Sequence, residues 1–137
     1  MKLCSACLLG INCRYDGGNK ANEKVIELSK HEKLIPVCPE RLGGLPVPRD
    51  AAERRGKKVF TGSGKDVTDF FRKGAKTVLD VARNLNTNEA ILKQRSSSCG
   101  SGQIYDGTFS GKVIEGDGVT AELLKANGIK IITEEDL

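Results

Sequence analysis

Four short strand-like runs constrain this fold most: Lys2–Cys7, Leu34–Cys38, Glu89–Lys93 and Ile129–Thr133. Each is five or six residues long, the usual length of a buried strand and too short for an ordinary helix. Segments with helical spacing lie between them. Val25, Ile26 and Leu28 follow Asn22, a residue suited to capping a helix. Val67, Phe70, Phe71, Ala75, Val78, Leu79 and Ala82 form the longest amphipathic pattern, with Asp66 or Thr68 at its start. Val119 to Ala126 is a last helix, closed by Asn127-Gly128. Strands alternating with helices predict an α/β fold: one compact domain, a mostly parallel sheet and helices packed on it. Pro36 cannot donate to a sheet ladder, so the second run belongs at an edge or ends early.

The remaining chain reads as shaped loops. Lys58–Thr61 is a small strand or ribbon, ended by Gly62 and Gly64. Pro39 and the stretch Gly43–Arg49 are predicted to hold no regular structure. There is no internal repeat and no linker-like stretch. A length of 137 residues suits a single domain over residues 1–137.

Charge and composition exclude several classes. Lys plus Arg is 22 and Asp plus Glu is 18, a net +4, far from the basic face of a dedicated DNA binder. A chain 38% hydrophobic and 29% charged is not a disordered tail. No apolar run is long enough for a membrane span. Met1-Lys2-Leu3-Cys4 enters strand-like sequence directly, without a secretory apolar region, which predicts a cytosolic protein. Five cysteines then stay reduced, and an odd number cannot pair fully within one chain.

The cysteines are placed unevenly. Cys7 and Cys13 follow the first strand. Cys38 and Glu40 end or follow the second. Ser96, Ser98 and Cys99 follow the third. All C-terminal strand ends of a parallel sheet share one edge, and ligands bind there. Four thiols far apart in sequence are therefore predicted to converge at that edge. Cys4 lies inside the strand and reads as packing. Cys4-Ser5-Ala6-Cys7 has the spacing of a redox pair, but such a pair belongs at a helix start, so a thiol redox protein is the third reading. The four strand-end cysteines lack the closely spaced pairs of structural zinc sites, which favours an iron–sulfur cluster over zinc.

Four blocks resemble a known family. They are Ser5-Ala6-Cys7-Leu8-Leu9-Gly10-Ile11-Asn12-Cys13-Arg14-Tyr15-Asp16-Gly17, then Pro36-Val37-Cys38-Pro39-Glu40 with Gly43-Gly44-Leu45, then Ser96-x-Ser98-Cys99-Gly100. The last is Gly116-Asp117-Gly118-Val119-Thr120-Ala121 with Leu123-Leu124 and Asn127-Gly128-Ile129. Together they resemble the thiouracil desulfidases and related tRNA 4-thiouridine desulfidases over essentially the whole chain. The resemblance implies a non-redox, iron–sulfur-dependent enzyme that converts a thiocarbonyl to a carbonyl plus sulfide. The implied cofactor is a 4Fe–4S cluster held by three cysteines, so that one iron lacks a protein ligand. The implied substrate is a small thiopyrimidine base or nucleoside, or a thiolated tRNA, with no membrane or DNA partner.

Carried over residue by residue, Cys7, Cys13, Cys38 and Cys99 are the family cysteines. Glu40 is the carboxylate and Ser96 the hydroxyl. The first choice for the cluster's ligands is Cys7, Cys38 and Cys99, one from each strand end. Glu40 suits a general base for water, or it pairs with Arg41 or Arg49. Ser96 orients substrate or water, or it shapes the serine-rich turn. Ser97 stands where the family often has proline. The alternative is a non-catalytic iron–sulfur or zinc-binding module or sensor, in which Glu40 has no chemical task.

Weaker signals remain. Gly116-x-Gly118-x-x-Ala121 has the glycines of a dinucleotide fingerprint but no acidic partner downstream, so these glycines are expected to shape a turn. Arg49, Arg54, Arg55, Lys57 and Lys58 are a solvated surface or a phosphate contact. Tyr15 stacks on a pyrimidine or packs, and His31 is expected at the surface.

Overall fold

In the computed structural model, which describes residues 1–137, β1 is Lys2–Ser5, and a 3-10 turn, Ala6–Leu9, follows at once. Next come α1 (Glu23–Ser29), β2 (Leu34–Val37), the one-turn α2 (Pro39–Leu42) and a hairpin of β3 (Ala52–Arg55) and β4 (Lys58–Thr61). The chain continues through α3 (Thr68–Asn84), β5 (Glu89–Leu92), a second hairpin of β6 (Gln103–Tyr105) and β7 (Val113–Glu115), α4 (Val119–Ala126) and β8 (Lys130–Thr133). The main sheet has the order β2-β1-β5-β8 and every pair is parallel. Pro36 lies opposite Cys4 on the edge strand β2, where its missing donor is harmless. The expected α/β architecture is the observed one.

Alternation along β1 divides the core. Leu3 packs with Val78, Leu79 and Ala82 of α3 and Leu124 of α4. Cys4 faces the other side with Val25 of α1 and Ile91, fully buried, as a packing residue should be. Both faces of the parallel sheet are therefore covered, as such sheets require. No helix is long and apolar enough to cross a membrane.

Three parts of the structure depart from the expectation, the first being β3, an unexpected antiparallel partner for the expected strand Lys58–Thr61. Pro39 was expected in a loop with no regular structure; it instead opens α2. Proline fits the first helical position because that N–H has no partner anyway. The β6–β7 hairpin was not expected at all. Its strands are three residues each, and β7 is exposed throughout, so no alternating pattern marks it.

Two close approaches fix the loops that matter. A Cβ on Gly74 of α3 would fall 1.9 Å from the Pro39 carbonyl oxygen, and one on Gly43 would fall 2.0 Å from that of Phe70. Helix α2 thus lies backbone to backbone on α3, which sets the position of Cys38 and Glu40. At the other site, a Cβ on Gly118 would fall 2.4 Å from the Ser98 carbonyl carbon. The Val119 N–H donates to the Ser97 oxygen (3.0 Å) and that of Thr120 to the Ser98 oxygen (2.9 Å). The first N–H groups of α4 are thereby used on the serine loop, not left for a phosphate. Gly118 of the fingerprint-like segment serves this approach, while Gly116 lies against the Ile104 side chain.

Candidate active site

The strand ends open on one cavity of about 570 Å³, within the usual size of a small-molecule site. Cys7 reaches it from the 3-10 turn after β1, Cys38 from the residue after β2, and Cys99 from the loop after β5. Cys13 reaches it from the loop after the 3-10 turn. Glu40 and Ser96 line the same space, while Cys4 does not. All five thiols are free.

The thiols differ electrostatically. Burial pushes the Cys7 thiol up to about 11, although Arg14 and Lys93 oppose the shift. Burial likewise pushes Cys99 up to about 12, with hydrogen bonds from Ser5 and Ser98 opposing it. Cys13 and Cys38 titrate together: the pairing pushes the Cys13 thiol up and the Cys38 thiol down. The Arg41 N–H at the start of α2 and the charge of Arg49 also favour a Cys38 thiolate. A protonated Cys38 instead donates to the Cys13 carbonyl oxygen at 3.8 Å.

Glu40 is held at both oxygens. The Arg49 Nε donates to Oε1 (3.2 Å) and the Ser98 hydroxyl to Oε2 (2.9 Å). The Arg49 side chain is only 6% exposed. It also donates to the Cys13 carbonyl oxygen (2.9 Å) and to that of Pro46 (3.1 Å). One guanidinium therefore ties the Cys13 loop, α2 and the following loop together. Of the two arginines that the sequence offered Glu40, Arg49 takes it; Arg41 donates to the Leu45 carbonyl oxygen.

Ser96 builds the turn that presents Cys99. Its Oγ accepts the N–H groups of Ser98 (3.2 Å) and Cys99 (3.0 Å). Its own hydroxyl lies 3.0 Å from the Ser98 Oγ. Because Ser98 donates to Glu40, Ser96 is the donor to Ser98, and a hydrogen-bonded chain runs Ser96, Ser98, Glu40. The sequence places Ser98 with Ser96 and Cys99 at the strand edge but gives it no role; it is 1% exposed, and its place inside Ser-x-Ser-Cys-Gly is the signal available for it.

The charged rim is basic. Arg14, Lys20, Arg49, Lys93 and Arg95 line the cavity against Glu40 and Glu53. Lys93 Nζ is held by Glu134 Oε2 (3.0 Å). The expected cluster of middle-loop cations is dispersed. Arg54 donates to the Asp117 carbonyl oxygen (2.7 Å) and pairs with Glu122, and Arg55 lies over the Phe60 ring at 4.4 Å. Lys57 and Lys58 are exposed. These five residues form no common phosphate site. Tyr15 lines the cavity, with the Arg14 guanidinium 5.3 Å from its ring centre. His31 is exposed beside Glu27.

Comparison with known proteins gives three matches. Residues 3–136 match the family described as 2-thiouracil desulfurase. The uncharacterized protein YbbK of Bacillus subtilis (strain 168) is 47% identical over 147 aligned positions, covering 100% of this chain and 97% of YbbK. A solved structure of the 4Fe–4S-dependent thiouracil desulfidase TudS superposes with a TM-score of 0.94 at 43% identity. That match covers 99% of this chain and 91% of TudS.

Proposed function

The chain belongs to the 2-thiouracil desulfurase family, and from that premise we propose that it removes sulfur from a thiolated pyrimidine with a 4Fe–4S cluster as cofactor. A thiocarbonyl plus water becomes a carbonyl plus hydrogen sulfide. Water supplies the oxygen and both protons, so no electron donor or acceptor is needed. The observation that carries this reading is the meeting of Cys7, Cys13, Cys38, Cys99 and Glu40, from separate segments, in one cavity.

The donor set fits the cluster. Thiolates are soft ligands suited to iron–sulfur chemistry. The four thiols line one space of about 570 Å³, large enough for a multi-iron group. Arg14, Arg49 and Lys93 offset the negative charge of several thiolates. Cys7, Cys38 and Cys99 are the proposed ligands, from the ends of three adjacent strands. Cys13 is the fourth thiol, on a loop whose carbonyl is already held by Arg49.

When bound, the cluster supplies an iron without a protein ligand, a soft Lewis acid matched to a thiocarbonyl sulfur. Glu40 takes the proton of the water that attacks the ring carbon. Arg49 and Ser98 each engage one of its oxygens, and each oxygen keeps a second lone pair for that proton. Ser96 holds the backbone of Ser98 and Cys99, so its role is to set the turn between carboxylate and thiol. A base or nucleoside is the proposed substrate ahead of tRNA, because Arg54 and Arg55 are engaged within the fold. Five free cysteines suit a reducing cytoplasmic compartment.

The test is anaerobic reconstitution with iron and sulfide, followed by incubation with 2-thiouracil or 4-thiouracil. Sulfide release without added reductant is expected. Absence of turnover on every thiopyrimidine base, nucleoside and thiolated tRNA overturns the proposal. Colourless protein loaded with zinc would instead support the metal-binding module.

A further inference from the structure

Aromatic residues are scarce in this chain: four Phe, two Tyr and no Trp. Three of the six, Tyr15, Tyr105 and Phe109, line the one cavity. All three are left exposed, at 40%, 37% and 40%. Phe71, in the core, is 1% exposed, whereas Phe70, away from this cavity, is 38% exposed, so position at the cavity and not exposure singles these three out.

Phe109 is the most deliberately placed of the three. It sits in the loop between β6 and β7 with a φ of 58°. That left-handed conformation is uncommon for a bulky residue and persists only where surroundings impose it. Here Glu53 of β3 imposes it. Its Oε1 accepts the N–H of Gly107 (3.0 Å) and of Phe109 (3.1 Å). The loop is also pressed against the first hairpin. A Cβ on Gly107 would fall 2.0 Å from the Arg55 Cγ, and one on Gly62 would touch the Phe109 ring at 3.7 Å. The loop is thus a wall fixed before any ligand arrives. Tyr105 stands on β6 of the same hairpin.

We propose that Phe109 is the stacking face for the planar heterocycle and that Glu53 is its positioning residue, with Tyr105 flanking the ring. The inference rests on the thiopyrimidine reading above and deepens it. Aromatic faces bind flat, polarisable rings largely regardless of their substituents. The wall therefore selects ring thiocarbonyls over aliphatic ones, while the thiols and Glu40 act on the sulfur-bearing carbon. Tyr15 is less free for this role because Arg14 already lies over its ring.

The test uses the reconstituted holoprotein and its Phe109→Ala, Phe109→Leu, Glu53→Ala and Glu53→Gln variants. Phe109→Leu keeps apolar bulk and removes the π face, which covers the case that Phe109→Ala fails to fold. Each Phe109 variant should raise KM for 2-thiouracil by about tenfold, the usual cost of a lost stacking partner, with kcat and iron content held. Glu53→Ala should raise KM by a smaller factor. Glu53→Gln should restore it, because an amide oxygen still accepts both N–H groups. Calorimetric binding of 2-thiouracil to the same holoproteins reads stacking without turnover. If the wild-type holoprotein binds 2-thiouracil but turns over no thiopyrimidine base, nucleoside or tRNA, and the Phe109 variants weaken that binding, the wall stands and the desulfidase reading falls. Unchanged binding and KM in both Phe109 variants overturn the wall, whatever the activity.

Discussion

The cavity has a thiol side and an aromatic side, and they are built differently. The thiol side stands on the ends of β1, β2 and β5, above Leu3, Val37 and Leu92 of the sheet core. Its polar atoms are partnered: Glu40 by Arg49 and Ser98, and the Cys99 N–H by Ser96. The aromatic side hangs on two-stranded hairpins of three- and four-residue strands. Such hairpins are marginal on their own, and Glu53 holds the loop of one to a strand of the other. Core burial fixes the first side and a few hydrogen bonds fix the second. Damage to the thiol side should therefore abolish chemistry, and damage to the aromatic side should grade affinity.

The largest expected effect is that of Cys99→Ala. Cys99 is buried, and its backbone is set by Ser96 and by the start of α4. Loss of bound iron together with all turnover is expected, read by iron analysis and the visible absorption spectrum. A variant that keeps a full cluster would move the third ligand to Cys13 and break the assignment of one thiol per strand end.

Glu40→Gln comes next. Iron content should hold, because Glu40 is assigned no ligand role. Turnover should fall about 10²–10⁴-fold, the range for loss of a general base. Turnover retained with the cluster intact would remove Glu40 from catalysis. Gly74→Ala is smaller and acts through stability. The added methyl meets the Pro39 carbonyl oxygen at 1.9 Å, so α2 must shift. Overpacking of this kind costs about 1–3 kcal/mol, read as a lower urea midpoint at unchanged slope. Turnover should fall with it, since Glu40 rides on α2.

The two sides also differed in how much the sequence revealed. Runs such as Ala90–Leu92 are legible because a parallel strand buried on both faces is continuously apolar. The cysteines and Glu40 were legible because they stop those runs. Helix α2 was not, since Pro39 reads as a breaker unless its place at the first helical position is known. The contact of Ser98 with Glu40 spans 58 positions, and no local period encodes it. On the aromatic side only the short run Lys58–Thr61 carries a strand pattern. Phe109 sits in Gly107-Thr108-Phe109-Ser110-Gly111, which reads only as turn, and the Glu53 that holds it lies 56 positions away. Burial leaves a pattern in sequence, whereas a single long-range hydrogen bond does not.

The smallest effects separate Ser98 from Ser96, which sit in one turn but do different work. Ser98→Ala deletes the donor to Glu40 Oε2 and leaves the turn's backbone contacts in place. A fall in kcat of about tenfold is expected, the equivalent of one hydrogen bond to a charged group, with iron content and KM unchanged. Ser96→Ala instead strips the acceptor from the N–H groups of Ser98 and Cys99. Its cost should appear mainly as stability, about 1 kcal/mol on the scale of a lost cap, and as easier loss of iron. If both variants changed KM alone, the thiol side would be behaving like the aromatic one, and the division between chemistry and affinity would fail. The partition of kcat against KM between Ser98 and Phe109 is therefore its sharpest measure, because each residue makes contacts that the other does not share.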